Sequence, residues 1–210
     1  MEKYDVLWLW IAANGTDGMT LSYDDIERIA GCPVDHSFLN CKKRLLPFGW
    51  KVDKISMKQK TIRFVRTEQS TLKTERLLLR PWQEDDAESL FRYASDPEIG
   101  PPAGWPPHKD ISESLEVIRH VFCGPECYAI CLKEDGVAIG AVELKLVGRT
   151  DMTDKPDECE LGYWIGKPFW GNGYMPEAAG ALLARAFEVL GMRRVWCGYY
   201  DGNRKSKRVQ

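Results

Sequence analysis

The sequence has no apolar run long enough to cross a membrane. The run near its start, Val6 to Ala13, falls well short of the roughly 20 residues a spanning helix needs. It has no basic lead-in and no small-residue cleavage site, so a signal peptide is not expected. Paired cysteines are also missing. None of the 7 cysteines stands in a Cys-x-x-Cys pair, and Gly124-Pro125 interrupts any helix that would align Cys123, Cys127 and Cys131. A metal site is not expected. Free thiols in a reducing compartment are, which points to a cytoplasmic protein. A charge excess is lacking as well. With 29 basic and 31 acidic residues the formal net charge is −2, so the chain taken whole is not built to bind a polyanion.

What is present is enough apolar content for a core: 44% of 210 residues are hydrophobic, sufficient for one or two domains. The expected division is a small helical and β-hairpin domain over 1–66, a polar linker over 67–71 and a larger domain over 72–210. In the first, Tyr4, Val6, Leu7, Leu9, Trp10, Ile11 and Ala12 suggest a short helix ended by Asn14-Gly15. Ser22 is a good N-cap, with Asp25 at the third helical position and Gly31 as the stop. His36 to Leu46 reads as another helix, ended by Pro47. Trp50, Val52 and Ile55, then Ile62, Phe64 and Val65, read as a hairpin. Three helices and a hairpin make a winged-helix-like module. From His36 to Arg66 there are nine basic residues (Lys42, Lys43, Arg44, Lys51, Lys54, Lys58, Lys60, Arg63, Arg66) and one acid, Asp53. The basic hairpin reads either as a nucleic-acid footprint or as a solvated face.

In the larger domain, Leu77 to Leu79 make a buried strand, and Glu84 to Ala94 a helix with Ala87, Leu90, Phe91 and Ala94 on one face. Four prolines between Gly100 and His108 forbid helix and central strand, leaving a rigid loop that presents Trp105 and His108. Ile111 to Phe122 is helical. Tyr128 to Leu132 and Val137 to Val147 are antiparallel strands. The organising stretch runs from Cys159 to Ala179: a strand with Leu161, Tyr163, Trp164 and Ile165, then Gly171-Asn172-Gly173, then a helix. Ala178, Ala179, Leu182, Leu183, Ala186, Phe187 and Leu190 recur at helical steps. Val195 to Tyr199 is a last strand. The fold class is α/β, a mixed sheet with helices on both faces. Asn-Gly is the strongest short hairpin signal. A glycine turn from strand into helix instead aims backbone N–H groups and the helix dipole at an anion, typically a phosphate.

The stretch from Trp164 through Gly171-Asn172-Gly173-Tyr174-Met175-Pro176-Glu177 to Ala178 resembles the acetyl-CoA-binding segment of the GNAT acyltransferases. It is closest to the branch that includes the ribosomal-protein N-terminal acetyltransferases. Met175 stands where that branch usually has a small residue, and Pro176 where it has threonine. The flanks agree: Glu75 to Trp82 resembles the family's first strand, and Asn203-Arg204-Lys205-Ser206-Lys207-Arg208-Val209 its Asn-x-x-Ser-x-Arg-Val segment. The resemblance covers about Leu72 to Gln210. The amino-terminal part resembles a small uncharacterised fused domain, through Leu21 to Ile29 and Gly49 to Asp53.

This resemblance implies acetyl-CoA as donor, no metal, and direct transfer to a primary amine of a protein N-terminus or a small molecule. It places the thioester and pantetheine on the backbone near Trp164 and Ile165. Gly171, Asn172, Gly173, Tyr174 and Met175 take the pyrophosphate, and Asn203 contacts the donor. Glu160, opening the central strand, would remove the amine proton through water, with Glu143 as a weaker candidate. Ser206 would help protonate the thiolate. Trp105 and His108 are candidate acceptor contacts. Family members continue with the last helix and two more strands, so a C-terminally truncated sheet is expected. Its exposed edge would suit a homo-oligomer in which a second copy completes the sheet. The alternative reading is a non-catalytic interaction or nucleic-acid-binding protein with a degenerate acyltransferase domain.

Overall fold

The computed structural model describes residues 3–67 and 69–210. Glu68, inside the expected linker, lies outside the described residues, as do Met1 and Glu2 at the start of the expected first domain. The chain divides into two compact units, Met1–Glu68 and Gln69–Gln210.

The first unit runs α1 (Asp5–Asn14), β1 (Thr20–Ser22), α2 (Tyr23–Ala30), α3 (His36–Cys41), a 3-10 stretch over Lys42–Phe48, β2 (Trp50–Ser56) and β3 (Thr61–Arg66). Its antiparallel sheet has the order β1-β3-β2. Ser22 starts α2 through the reciprocal cap its spacing with Asp25 predicts. Ser22 Oγ accepts from the Asp25 N–H at 3.0 Å, and Asp25 Oδ2 accepts from the Ser22 N–H at 3.3 Å. The single helix expected to Leu46 instead tightens at Lys42. Pro47 has no N–H to give the Lys43 carbonyl, so the α pattern cannot carry on to it. Leu7, Trp8, Ile26, Phe38, Trp50 and Phe64 are fully buried in the unit's own core.

The second unit contains β4 (Leu72–Lys73), β5 (Leu77–Arg80), α4 (Ala87–Ala94), α5 (Ile111–His120), β6 (Cys127–Leu132), β7 (Ala138–Lys145), β8 (Glu158–Ile165), α6 (Tyr174–Ala184), β9 (Arg194–Trp196) and α7 (Arg204–Val209). The six strands lie in chain order. All neighbours are antiparallel except β8 and β9, which are parallel. This is the expected mixed α/β sheet with helices on both faces. The proline loop differs slightly from expectation: Pro101–Ala103 form one 3-10 turn, because prolines at the first positions of a helical turn give up no hydrogen bond.

Two ion pairs bind sheet to helix. Arg80 donates to both oxygens of buried Asp86 at 2.7 Å, tying the end of β5 to the start of α4. Glu126, buried just before β6, accepts from Arg185 at 2.5 and 2.7 Å and from the Tyr128 hydroxyl at 2.9 Å. Arg185 opens a π-helical turn over Arg185–Val189 that extends α6.

The centre of the sheet departs from expectation in two ways. β8 begins at Glu158, so Glu160 is its third residue and does not open it. β9 ends at Trp196, short of Tyr199. β8 and β9 pair only from Glu158↔Arg194 to Glu160↔Trp196. Beyond that point β8 stays paired to β7 alone, from Leu144↔Leu161 to Gly140↔Ile165. The chain after Trp196 swings away, and one edge of β8 opens into a slot.

Candidate active site

The slot is where the backbone groups of β8 become available. Alternation along a strand sends successive amides to opposite edges. The Gly166 N–H donates to Ile139 O at 2.8 Å, on the β7 side. The Ile165 carbonyl instead accepts from the Trp170 indole at 2.9 Å, and the Leu161 carbonyl faces Cys197 Sγ at 3.5 Å. The amides of Tyr163 and Ile165 therefore face the open edge, and that of Trp164 faces β7. Trp164 contributes to the site through its indole.

At the far end of β8 the glycine turn leads into α6. Gly171 and Gly173 both have φ of 79°, the left-handed region that only glycine enters without strain. The first turn of an α-helix leaves its leading N–H groups without intrahelical partners, at the positive end of the helix dipole. Pro176 sits in that first turn. The turn is held from outside by Arg76, just before β5. Its Nη1 donates to the Asn172 carbonyl at 2.9 Å, its Nε donates to Glu177 at 2.7 Å, and its guanidinium lies 4.6 Å from the Tyr174 ring centre. Glu177 also accepts from Thr74 Oγ1 at 2.5 Å and the Arg76 N–H at 2.8 Å. Burial alone would raise the Glu177 carboxyl, but these bonds outweigh it and hold the group below its ordinary value.

Two cavities meet in this region. One, of about 800 Å³, runs along the glycine turn and is lined by Ile165, Gly171, Gly173, Tyr174 and Met175. Asn172 is not in its wall, because its carbonyl is turned back to Arg76. Three cations of α7, Arg204, Lys205 and Arg208, line it too. Lys205 Nζ sits 3.3 Å from the Trp170 ring centre. The second cavity, of about 700 Å³, lies over the middle of β7 and β8 and is lined by Glu143, Glu160, Trp105 and His108. Tyr163, Trp164, Asn203 and Ser206 line both.

The second cavity gathers carboxylates among aromatics. Glu160 accepts from Lys145 Nζ at 3.0 Å and from Thr150 Oγ1 at 2.5 Å. Glu143, opposite Gly162 on β7, is raised above the usual glutamate value chiefly by burial, with Glu160 adding to the effect and Lys145 and Arg149 opposing it. His108 Nδ1 lies 2.8 Å from Ser114 Oγ, and burial lowers its pKa, so the ring is neutral at pH 7. The Trp105 ring lies 5.6 Å from that of His108, tilted to it, and 6.0 Å edge-on from that of Trp164.

At the junction, the Tyr163 hydroxyl is 3.1 Å from both the carbonyl oxygen and Oγ of Ser206. Burial raises its pKa, so it stays protonated, although the Ser206 bond pulls the other way. Asn203 caps α7: its Oδ1 accepts from the Ser206 N–H at 3.0 Å, and its Nδ2 donates to Pro102 O at 3.0 Å. Sequence reasoning missed Tyr163, which reads as one more apolar strand residue. It also missed Arg76 as the brace of a turn 96 residues away and the cations of α7. The basic run Arg204-Lys205 was the available signal for the last.

A glycine turn at a helix start, an open strand edge and basic residues along one cavity suit a coenzyme A thioester: phosphates at one end, an amide-rich arm along the strand. Fold and cavities together define a CoA-dependent acyltransferase. A family model described as the acetyltransferase (GNAT) domain matches residues 76–210, and the chain belongs to that family. It is an acetyl-CoA-dependent acetyltransferase. It is similar to an uncharacterized N-acetyltransferase, p20, of Bacillus licheniformis, 29% identical over 130 residues, covering 60% of this chain and 70% of the relative. A putative ribosomal N-acetyltransferase, YdaF, of Bacillus subtilis is 35% identical over 75 residues, covering 36% of this chain and 38% of the relative. Among solved structures, an acetyltransferase from Agrobacterium tumefaciens superposes with a TM-score of 0.54 at 29% identity, covering 69% of this chain and 82% of that one.

Proposed function

We propose that the protein transfers an acetyl group from acetyl-CoA directly to a primary amine, on a protein N-terminus or a small molecule, with no covalent enzyme intermediate. The observation that carries this reading is the shared wall of Tyr163, Trp164, Asn203 and Ser206 between the two cavities. A donor in one and an acceptor in the other would meet there.

The roles follow from position. The N–H groups at Gly173, Tyr174 and Met175 face the pyrophosphate, with the α7 cations beside them. The Tyr163 and Ile165 N–H groups hold the pantetheine arm and polarise the thioester carbonyl. In the acceptor cavity, Glu160 takes the amine proton, directly or through water. Amine nitrogen bonds to the carbonyl carbon, the carbon–sulfur bond breaks, and Tyr163, relayed by Ser206, returns a proton to sulfur. Trp105, Trp164 and His108 supply an apolar, uncharged wall that favours a neutral amine. Glu113, Glu143, Asp151 and Glu160 on the same cavity outnumber the cations beside them, Lys145 on that wall and Arg149 acting on Glu143, which favours an acceptor that arrives as a cation. The partial likeness of this chain to a relative named a putative ribosomal N-acetyltransferase supports a protein N-terminus as the acceptor. The outer edge of β9 offers a place for a second copy.

Calorimetry of acetyl-CoA against the 210-residue chain tests the donor half of this reading. Micromolar binding is expected. Gly173→Glu is expected to abolish it, because a side chain there strains the left-handed turn and puts a negative charge where phosphate belongs. Binding that survives this change would sink the assignment.

A further inference from the structure

Among the described residues, none of those lining the two cavities comes from the amino-terminal unit. Its element order is helix, strand, two helices, hairpin, with β1 seated beside β3. That is the arrangement of a winged helix-turn-helix. α2 and α3, joined by residues 31–35, form the helix pair. β2, β3 and the turn over residues 57–60 form the wing. In helix-turn-helix proteins the second helix enters the major groove and presents side chains to base edges.

The second helix here has the required two faces. Phe38 is fully buried in the unit's core, as is Leu45 just beyond the helix. On α3, His36, Leu39 and Asn40 recur at i, i+3 and i+4 and are exposed, and Lys43, also exposed, follows in the 3-10 stretch. Asparagine and lysine are residue types that pair with adenine and guanine edges in the major groove.

The nine basic residues of this segment do not behave alike. Arg44 faces buried Asp5 at 3.3 Å, Arg63 lies 3.6 Å from Asp53, and Arg66 stacks 4.2 Å over the Trp50 ring. These three belong to the fold. The other six are lysines, and all are exposed: Lys42 and Lys43 after α3, Lys51 and Lys54 on β2, Lys58 and Lys60 on the wing turn. Asp53, the acid among them, is occupied by Arg63. Lys60 has a φ of 50°, a left-handed conformation that costs a lysine energy a glycine would not spend.

We propose that this unit is a binding site for duplex DNA, with the exposed stripe of α3 in the major groove and the wing lysines on the neighbouring phosphates. The proposal is independent of the acyl-transfer reading. Fluorescence anisotropy of a labelled duplex of about 20 base pairs, titrated with the full chain between 50 and 200 mM salt, tests it. Binding should weaken log-linearly with salt, by a slope of about −0.9 for each phosphate contacted. Two double variants, Lys42→Glu with Lys43→Glu and Lys58→Glu with Lys60→Glu, should each weaken binding at least tenfold. Their acetyl-CoA affinity should stay unchanged, and their far-UV circular dichroism and thermal melts should match those of the unaltered chain, which reports that the amino-terminal unit, with its own core, is still folded. Lys73→Glu with Arg92→Glu makes the same charge change in the other unit and should have little effect. No duplex binding at 50 mM salt would overturn the proposal. An equal loss in the Lys73 and Arg92 variant, or tighter binding to single strands or to RNA, would also overturn it.

Discussion

In the proposed reaction Tyr163 is the group that returns a proton to sulfur. It stands on the open edge of β8, its hydroxyl shared with Ser206 at 3.1 Å, where both cavities meet. Burial keeps it protonated, the state an acid needs when thiolate leaves. Tyr163→Phe keeps the ring and removes the proton. kcat is expected to fall by about 100-fold or more, the usual scale for losing a positioned general acid. The KM for acetyl-CoA should change little, and steady-state kinetics separates the two. Ser206→Ala should have a smaller effect, because the tyrosine reaches the junction without it. A Tyr163→Phe variant with full kcat would assign the proton to another group.

At the scale of elements, the site depends on braces between distant segments. Arg76 and Glu177 lie 101 positions apart in the chain and lock the entry of α6. The pair is partly exposed, so breaking it costs the fold at most about 1 kcal/mol. Arg76→Ala is expected to lower Tm slightly yet raise the acetyl-CoA Kd about tenfold, because the Asn172 carbonyl loses its anchor. Thermal melts and calorimetry on one preparation check both halves. β9 is held similarly through Glu158, which the Trp196 indole bond, more than Thr153, Lys155 or Arg194, pulls down to a pKa of about 2. A carboxyl depressed in the folded state stabilises it above the ordinary glutamate pKa, and that contribution is lost as pH falls toward about 2. Trp196→Phe removes the largest cause, so acid unfolding followed by circular dichroism should begin at a higher pH. What was legible in the sequence was local: the Ser22 and Asp25 cap, the glycine turn, the apolar period of α6. The illegible parts are long-range or hidden by type. Glu126 with Arg185, and Arg76 with Glu177, are contacts no nearby spacing announces. The length of β9 is set by where the chain leaves the sheet, not by Tyr199 and its β-forming neighbours.

For the whole molecule, the chain forms two compact units, and the two proposals assign a separate task to each. Among the described residues, those lining the two cavities lie in the second unit, and the exposed lysines after α3, on β2 and on the wing turn lie in the first. The sequence suggests a division through the polar stretch over 67–71 and through two separate resemblances on either side of it, while the acids and bases that nearly cancel over the chain are unevenly spread along it. Within the second unit, the wall shared by the two cavities has a consequence for inhibitor design. A single compound joining an acceptor amine to the sulfur of CoA through a two-carbon tether would occupy both cavities without crossing a barrier. Once its CoA half is seated, its amine half is held at an effective concentration in the millimolar range or above. Such a conjugate is expected to bind at least 100-fold more tightly than CoA alone, with isothermal calorimetry as the measurement. A conjugate no tighter than CoA would mean that the two cavities do not open to each other in solution.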